Sequence, residues 1–348
     1  MKKLRIGVIG AGGIADRRTL PGMLLAKNVE ITAVMEIEQK LVEKLKAKYN
    51  AKYAYTSAEE LVKNEEIDAV YIASPVVFHS RQAMLAADYG KHILIEKPIA
   101  MDIDEAEKLL AYCAQKGVQI AAGFMMRFGT HVLRMKEAVQ SGKLGQVVSA
   151  YSQFTAWFPQ SANNWRQVKA KSGGGCLIDM GVHCIDLIEY ITDSRVCEVS
   201  ALNDTLTFDY DVEDSSTVLL KLRNGAQCVV QTNFNIPDEV AKWRLEFFGT
   251  RGRLMGDNVI GQIDGGRLNE AFLAEVSDYN ATQNHAETFG EDVEAEFGNM
   301  YAREVESFAD SILNGKPLVV PASDAVHIQK VVEAAYQSSR EHRAVKVN

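Results

Sequence analysis

The segment GGCLIDMGVHCIDLIEY, residues 174–190, carries side chains that could do acid–base chemistry. Within the run 177–188, Asp179, His183 and Asp186 are the only charged or ionisable side chains other than thiol, and their spacing places all three on one face of an α-helix. A histidine beside a carboxylate can accept or release a proton near neutral pH. A solvated helix face would show the same stripe, so both interpretations stay open for this segment alone.

The elements that must position this helix begin with alternating strands and helices. The predicted strands occupy 4–10, 30–36, 69–74, 92–96 and 118–123. Strands that are apolar on both faces and separated by helices are typical of a parallel sheet covered on both sides. Right-handed crossovers then give a doubly wound Rossmann fold, and we assign residues 1–122 to this α/β domain.

Residues 123–348 follow a different pattern. The glycine-rich turn SGGG precedes the Asp179 helix, and from 196 to 263 short strands are separated by turns such as Asn224-Gly225. Two helices close the chain. We predict an α+β domain with a large, mainly antiparallel sheet that binds substrate. The segment 265–300 has no clear period. A solvated loop is its default interpretation, and a surface arm, a lid or an oligomer contact are the alternatives.

A glycine-rich turn, Gly10-Ala11-Gly12-Gly13-Ile14-Ala15, lies between the first strand and a helix. Gly10 would make the tight turn, Gly12 would let the backbone approach a pyrophosphate, and Ala15 would allow close packing of helix on strand. Amides at the helix N-terminus favour a bound phosphate. Together with Glu36 at the end of the second strand, this pattern predicts dinucleotide binding.

Glu36 also predicts which dinucleotide binds. A carboxylate can accept hydrogen bonds from ribose hydroxyls, whereas a 2′-phosphate beside it costs about 1–4 kcal/mol per charge pair. Ile37, the next residue, offers no compensating cation. We therefore expect NAD to be preferred over NADP.

Further candidate residues lie at or just after the ends of the predicted strands 69–74 and 92–96. The carboxyl ends of parallel strands line the ligand crevice of a doubly wound sheet, which predicts that these residues lie near the nicotinamide half of the cofactor. They are Ser74, Pro75, His79, Glu96 and Lys97.

Two motifs together resemble a known family. The sequence EKP after a Rossmann strand, followed later by GGGCLIDMGVHCIDL, resembles the glucose–fructose oxidoreductase/inositol dehydrogenase/rhizopine catabolism family (Gfo/Idh/MocA). The segments SPVVFH, SGKLGQV and ILNGKP extend the resemblance over nearly the whole chain. It implies that Lys97, Asp179 and His183 form the catalytic group and that the substrate is a sugar, glycoside or inositol. It also implies that subunits pair through the sheet of the second domain, as a homodimer or homotetramer.

The residue types fit alcohol oxidation. A base must take the hydroxyl proton while hydride leaves the same carbon for the nicotinamide. His183 suits the base, Asp179 can bind substrate hydroxyls or hold the imidazole, and Lys97 can stabilise developing alkoxide charge. Whether Lys97 or His183 removes the proton stays open. Asp186 is interpreted as structural, and no metal is expected.

Aromatic and polar residues precede the Asp179 helix and could accept the apolar face of a sugar. Packing between sheet and helix would place aromatic residues there as well. The candidates are Phe154, Trp157, Phe158, Asn163, Asn164, Trp165 and Arg166, with Arg127 as a further one. Arg127 follows two methionines where the family often has an asparagine.

Composition and charge exclude other classes of protein. At a formal net charge of −8, the chain is not suited to gripping nucleic acid or an anionic membrane, and no apolar run reaches transmembrane length. Five scattered cysteines without a CxxC pair indicate a reducing cytoplasm.

Two functional alternatives remain: a glycosidase or lyase that works by transient oxidation with catalytic NAD, and a non-catalytic dinucleotide sensor.

Overall fold

The computed structural model describes residues 2–162, 164–276, 278 and 289–347. The chain forms two compact units. The first comprises Met1–Phe128 and Asn299–Gln329, and the second comprises Gly129–Gly298 and Lys330–Asn348. Sequence analysis placed a single domain boundary after residue 122. The structure differs mainly because residues 299–329 also belong to the first unit.

The first unit contains a six-stranded, all-parallel sheet with the strand order β3-β2-β1-β4-β5-β6. This order confirms the predicted Rossmann fold. A short strand, β3, lies outside the strands predicted from sequence, and its three residues are too few to show a period. The strands are β1 Leu4–Ile9, β2 Val29–Met35, β3 Tyr53–Tyr55, β4 Ala69–Ile72, β5 His92–Ile95 and β6 Ile120–Ala122.

Among the helices between these strands, α5 Ile103–Lys116 has a side-chain cap at its beginning and a glycine at its end. In α5 the Asp102 carboxylate accepts a 2.8 Å hydrogen bond from the Glu105 amide, and Gly117 ends the helix with φ of +70°. The helices are α1 Leu20–Leu25, α2 Gln39–Tyr49, α3 Ala58–Val62, α4 His79–Asp88 and α5 Ile103–Lys116. A π-helical segment, Ala15–Thr19, leads into α1.

The second unit is built on a nine-stranded sheet with the order β14-β13-β12-β11-β7-β10-β9-β8-β15. Among the described strands of this second sheet, only the β7–β10 pair is parallel, which confirms the mainly antiparallel prediction. The strands are β7 Val147–Thr155, β8 Val196–Asp204, β9 Ser215–Leu222, β10 Gln227–Asn233, β11 Arg244–Gly249, β12 Gly252–Asp257, β13 Arg267–Phe272, β14 Glu291–Asp292 and β15 Val345–Lys346. The helices are α6 Thr130–Gln140, α7 Lys169–Ser172 and α8 Val182–Thr192.

Strand β13 corrects the default interpretation of 265–300 as a solvated loop. Within β13, Leu268 and Ala271 are buried although they are three residues apart, so the strand lacks the strict alternation that sequence analysis detects. Residues 277 and 279–288 of that segment lie outside the described residues.

Two long helices, α9 Met300–Asn314 and α10 Ala322–Glu341, close the chain near the predicted positions. Val305, Phe308 and Ala309 of α9 are buried in the same apolar core as β1 and β2, which explains why 299–329 belongs to the first unit. No helix in the described ranges is both long enough and apolar enough to cross a membrane.

Candidate active site

The glycine-rich turn brings the end of β1 against the end of β4. Gly10 has φ of +75°, and a Cβ there would lie 2.6 Å from the Ser74 nitrogen, so only glycine fits. A Cβ on Gly13, where φ is +57°, would meet nothing within 4 Å. Ile14 is half-buried and Ala15 is fully buried. The open face at Gly13 and the close helix–strand packing at Ala15 fit a dinucleotide pyrophosphate.

Glu36 lies directly beside this turn. Its carboxylate accepts hydrogen bonds from the Gly12 amide at 3.2 Å through Oε2 and from the Ile37 amide at 2.9 Å through Oε1. Ile37 itself is 81% exposed. An acidic side chain is therefore held at the edge of the glycine turn, with no cationic residue next to it in sequence.

The ends of β4 and β5 are joined by a histidine. His79 places Nε2 2.7 Å from the Ser74 carbonyl oxygen and Nδ1 2.8 Å from the Pro98 carbonyl oxygen. Burial lowers the pKa of this imidazole, although both carbonyl contacts oppose the shift. His79 therefore connects the backbone at Ser74 with the backbone at Pro98. Lys97, the residue before Pro98, is half-buried, and the Lys97–Pro98 peptide bond is cis. Pro75, after Ser74, is exposed.

Glu96 has neighbours that the sequence did not reveal. A Cβ on Gly123 would lie 3.1 Å from Glu96 Oε2, so the carboxylate sits close against that backbone. Tyr71 and Glu304 also lie around it. They come from β4 and α9, and long-range contacts of this kind leave no local sequence signal.

Asp179 lies in a π-helical segment, Leu177–Gly181, that continues into α8. The sequence predicted an uninterrupted α-helix, but a π-helix makes wider hydrogen-bonded turns and rotates Asp179 relative to His183. His183 is 6% exposed and Asp186 is 1% exposed, whereas Asp179 is half-buried. The stripe is therefore not a solvated face. Single π-helical turns occur frequently at functional sites.

Glu213 binds backbone amides at the beginning of this helix. Sequence analysis did not identify it as a candidate residue. Its carboxylate accepts hydrogen bonds from the amides of Gly175 and Leu177 and from the Tyr336 hydroxyl. Burial raises the pKa of Glu213, while these hydrogen bonds lower it. The only sequence signal is an acidic pair, Glu213-Asp214, directly before β9.

The aromatic candidates divide between surface and core. Trp157 is 43% exposed and meets Phe208 edge to face, with ring centroids 5.3 Å apart. Phe154 instead is buried against Trp243, as the packing interpretation expects. The remaining candidates have short-range contacts: Phe158 with Phe234, Arg166 over the Trp165 ring, and the Asn164 side chain on the Arg166 amide. Asn163 lies outside the described residues.

Arg127 is 3% exposed and belongs to the first unit. Its guanidinium donates 2.8 Å hydrogen bonds to the Val319 carbonyl and the Asp324 carboxylate. These contacts give Arg127 a structural role, and its predicted role in substrate binding stays a prediction. Within the described ranges, no group of three His, Cys, Asp or Glu side chains is arranged to hold a metal ion.

Within the first unit, Gly10 and Gly12 lie close to Ser74 and Glu36, respectively. Lys97 also belongs to the first unit, whereas Asp179 and His183 belong to the second. The strand order, the glycine turn and the acid after β2 define a dinucleotide-binding domain. Residues 4–124 match the model of an oxidoreductase family with an NAD-binding Rossmann fold, and 132–255 match the GFO/IDH/MocA C-terminal domain. The chain belongs to the Gfo/Idh/MocA family of NAD(P)-dependent oxidoreductases.

Several relatives match over all or nearly all of their length. D-xylose 1-dehydrogenase (NADP(+)) 2 of Haloferax volcanii is 28% identical, covering 99% of this chain and 100% of the relative. Myo-inositol 2-dehydrogenase of Thermotoga maritima is 26% identical, covering 99% and 98%. Among solved structures, aldose-aldose oxidoreductase from Caulobacter crescentus has a TM-score of 0.87 at 22% identity, covering 99% and 100%. This last likeness establishes the fold.

Proposed function

We propose that the protein transfers hydride between NAD and a secondary hydroxyl of a sugar, glycoside or inositol. The observation that carries the proposal is the Glu36 carboxylate beside the Gly12 amide. This carboxylate can accept hydrogen bonds from the ribose hydroxyls of NAD, and it lies at the glycine-rich turn that suits the pyrophosphate. The names of the Haloferax and Thermotoga relatives, a xylose and an inositol dehydrogenase, support a polyhydroxylated substrate.

The preference for NAD rests on charge. A 2′-phosphate brought to the Glu36 carboxylate would meet like charge, at a cost of about 1–4 kcal/mol per charge pair. The half-buried side chain and its two amide contacts hold the carboxylate in place, which limits its ability to swing away. The Haloferax relative is named for NADP(+), so the preference is a property proposed for this chain.

The chain's own residues would manage the proton and the developing charge, and the bound dinucleotide supplies the hydride acceptor. The Lys97 ammonium can donate a hydrogen bond to the reacting oxygen and stabilise its negative charge, in which case the His183 imidazole accepts the hydroxyl proton. In the alternative, Lys97 accepts that proton in its neutral amine form. Asp179 can accept hydrogen bonds from substrate hydroxyls or orient the His183 ring.

Recognition of the sugar ring is proposed for the exposed aromatic surface of the second unit. Trp157 offers an accessible indole braced by Phe208, and Arg166 stacks over the Trp165 ring, 4.3 Å from its centroid. Aromatic faces of this kind pack against the apolar C–H face of a sugar, while a guanidinium donates to its hydroxyls.

Self-association is proposed for the outer face of the nine-stranded sheet. On adjacent strands, Leu219 pairs with Val229, which in turn pairs with Tyr151, and Leu219 is 54% exposed. Leu202 on β8 is 66% exposed. Exposed apolar side chains of this kind are stabilised when a second copy covers them. Sedimentation of the wild-type protein beside a Leu219→Lys variant tests this pairing, and a monomeric wild-type protein would contradict it.

Binding of NADH and NADPH, followed by fluorescence titration, tests the cofactor proposal. We expect the wild-type protein to bind NADH more tightly by about tenfold or more. Glu36→Ala should reduce that ratio, while Glu38→Ala, which removes an exposed acid two positions further on, should leave it unchanged. A ratio that Glu36→Ala does not alter would place the discrimination elsewhere.

A further inference from the structure

One residue holds three successive amides at the beginning of the helix that carries Asp179 and His183. The Glu213 carboxylate accepts hydrogen bonds from the Gly175 amide at 2.9 Å and from the Leu177 amide at 3.1 Å. The Glu213 carbonyl oxygen accepts a third from the Cys176 amide, also at 3.1 Å. The first amides of a helix have no partner inside the helix, so Glu213 supplies what this helix end requires.

These contacts connect directly to the turn that bears Asp179. The Asp179 amide donates a 3.1 Å hydrogen bond to the Gly175 carbonyl, and Gly175 is one of the residues that Glu213 holds. A shift of Gly175 would therefore move the peptide of Asp179. His183 follows four residues later in the same continuous helical segment.

Tyr336 of α10 holds the carboxylate from the other side. Its hydroxyl donates a 2.8 Å hydrogen bond to Glu213 Oε1. A Cβ on Gly174 would overlap the Tyr336 hydroxyl, and one on Gly175 would overlap the Glu213 carbonyl oxygen. The glycines of this turn thus allow Glu213 and Tyr336 to reach the backbone.

We propose that Glu213 is a positioning residue for Asp179 and His183, fixing the helix that carries them through the amides of residues 175–177, with Tyr336 orienting its carboxylate. The link to catalysis rests on the proposed function. The link to helix geometry does not, so the two can be tested separately.

The neighbouring residue provides a matched control. The Asp214 carboxylate also accepts backbone hydrogen bonds, from Leu206 at 2.8 Å, Thr207 at 2.8 Å and Phe208 at 3.0 Å. It therefore makes the same kind of contact with a different segment. A general loss of stability would affect both variants, whereas of these two carboxylates it is Glu213 that contacts the Asp179 helix.

Hydrogen exchange of the wild-type protein, Glu213→Gln and Asp214→Asn tests the geometric part. In Glu213→Gln, an amide NH₂ replaces one carboxylate oxygen and cannot accept the hydrogen bond made there. We expect exchange at residues 175–180 to accelerate at least about tenfold, with residues 205–208 unchanged. In Asp214→Asn, exchange should accelerate at residues 205–208 and stay unchanged at residues 175–180. Unchanged exchange at 175–180 in Glu213→Gln, or equal acceleration there in both variants, would overturn the proposal.

The catalytic part is measured on whichever sugar gives NADH with the wild-type protein. Glu213→Gln should lower kcat about tenfold or more while the dissociation constant for NADH stays within about twofold. Tyr336→Phe removes the hydrogen bond from the Tyr336 hydroxyl to Glu213 but leaves the amides of residues 175–177 bound to Glu213. It should therefore lower kcat less than Glu213→Gln does. Equal losses of kcat in Glu213→Gln and Asp214→Asn would make Glu213 merely structural. If no sugar gives NADH, the proposed function fails, and the exchange result still stands.

Discussion

The Tyr71 hydroxyl donates a hydrogen bond of 2.5 Å to Glu96 Oε1, linking the interior of β4 to the residue that precedes Lys97. Tyr71 is fully buried, and its oxygen also lies 2.9 Å from Thr19 Oγ1. The backbone at Lys97 is therefore held by Tyr71 through Glu96 and by His79 through Pro98.

Tyr71→Phe should destabilise the first unit by about 1–3 kcal/mol, because Glu96 loses a buried donor. Denaturant unfolding of the two proteins measures the difference. Tyr53→Phe is the control, since the Tyr53 hydroxyl also donates to a glutamate, Glu66, but in a partly exposed position. The control should cost less than about 1 kcal/mol. Equal costs for the two variants would contradict a buried role for Tyr71.

We expect Glu304 to make the stability of the protein depend on pH. Burial raises the pKa of Glu304 well above its ordinary value, and the nearby Glu96 charge raises it further. Among the residues that the structure describes, Glu304 Oε1 has no hydrogen-bond partner. The protonated form is thus favoured in the fold, and its contribution to stability is lost as pH rises through the raised pKa.

Glu304→Gln, a neutral side chain of the same size, should therefore gain stability relative to wild type as the pH is raised from about 5 to about 9. Thermal denaturation across this range measures the gain. Glu60→Gln, which changes an exposed glutamate in α3, should show no such trend. A pH-independent difference between Glu304→Gln and wild type would mean that Glu304 is charged in the fold.

Lys97→Ala tests the proposed chemistry. We expect kcat to fall by about two to four powers of ten, because the developing charge on the reacting oxygen loses its cation. The affinity for NADH should stay close to wild type, which binding titration checks. Lys108→Ala, which changes an exposed lysine of α5, is the control. Turnover within a few fold of wild type would remove Lys97 from the reaction.

Arg127→Met separates a structural role from substrate binding. Breaking the buried Arg127–Asp324 pair should cost about 3–5 kcal/mol of stability, because the Asp324 carboxylate loses a buried cationic neighbour. Arg5→Met, which breaks the more exposed Arg5–Asp68 pair, should cost about 1 kcal/mol or less. A raised KM for the sugar with little loss of stability would instead favour substrate binding by Arg127.

Sequence analysis predicted most elements because their signals are local. The glycine turn and the apolar strands of the first unit have characteristic patterns, and Glu36 follows its strand directly. The π-helical turn at Asp179 was missed because periodicity assumes an α-helix. Glu213, Tyr71 and Glu304 were missed because each acts through residues distant in sequence. The place of α9 in the first unit likewise depends on packing against β1.

The most direct test of the proposed function measures NADH formation and product release together, with NAD and a set of free sugars, glycosides and inositols. The proposal predicts that one substrate class gives NADH and oxidised product in equal amounts. Aglycone released without accumulating NADH would contradict it in favour of a glycosidase with no net redox change. No reaction with any substrate, despite tight NADH binding, would favour a dinucleotide sensor.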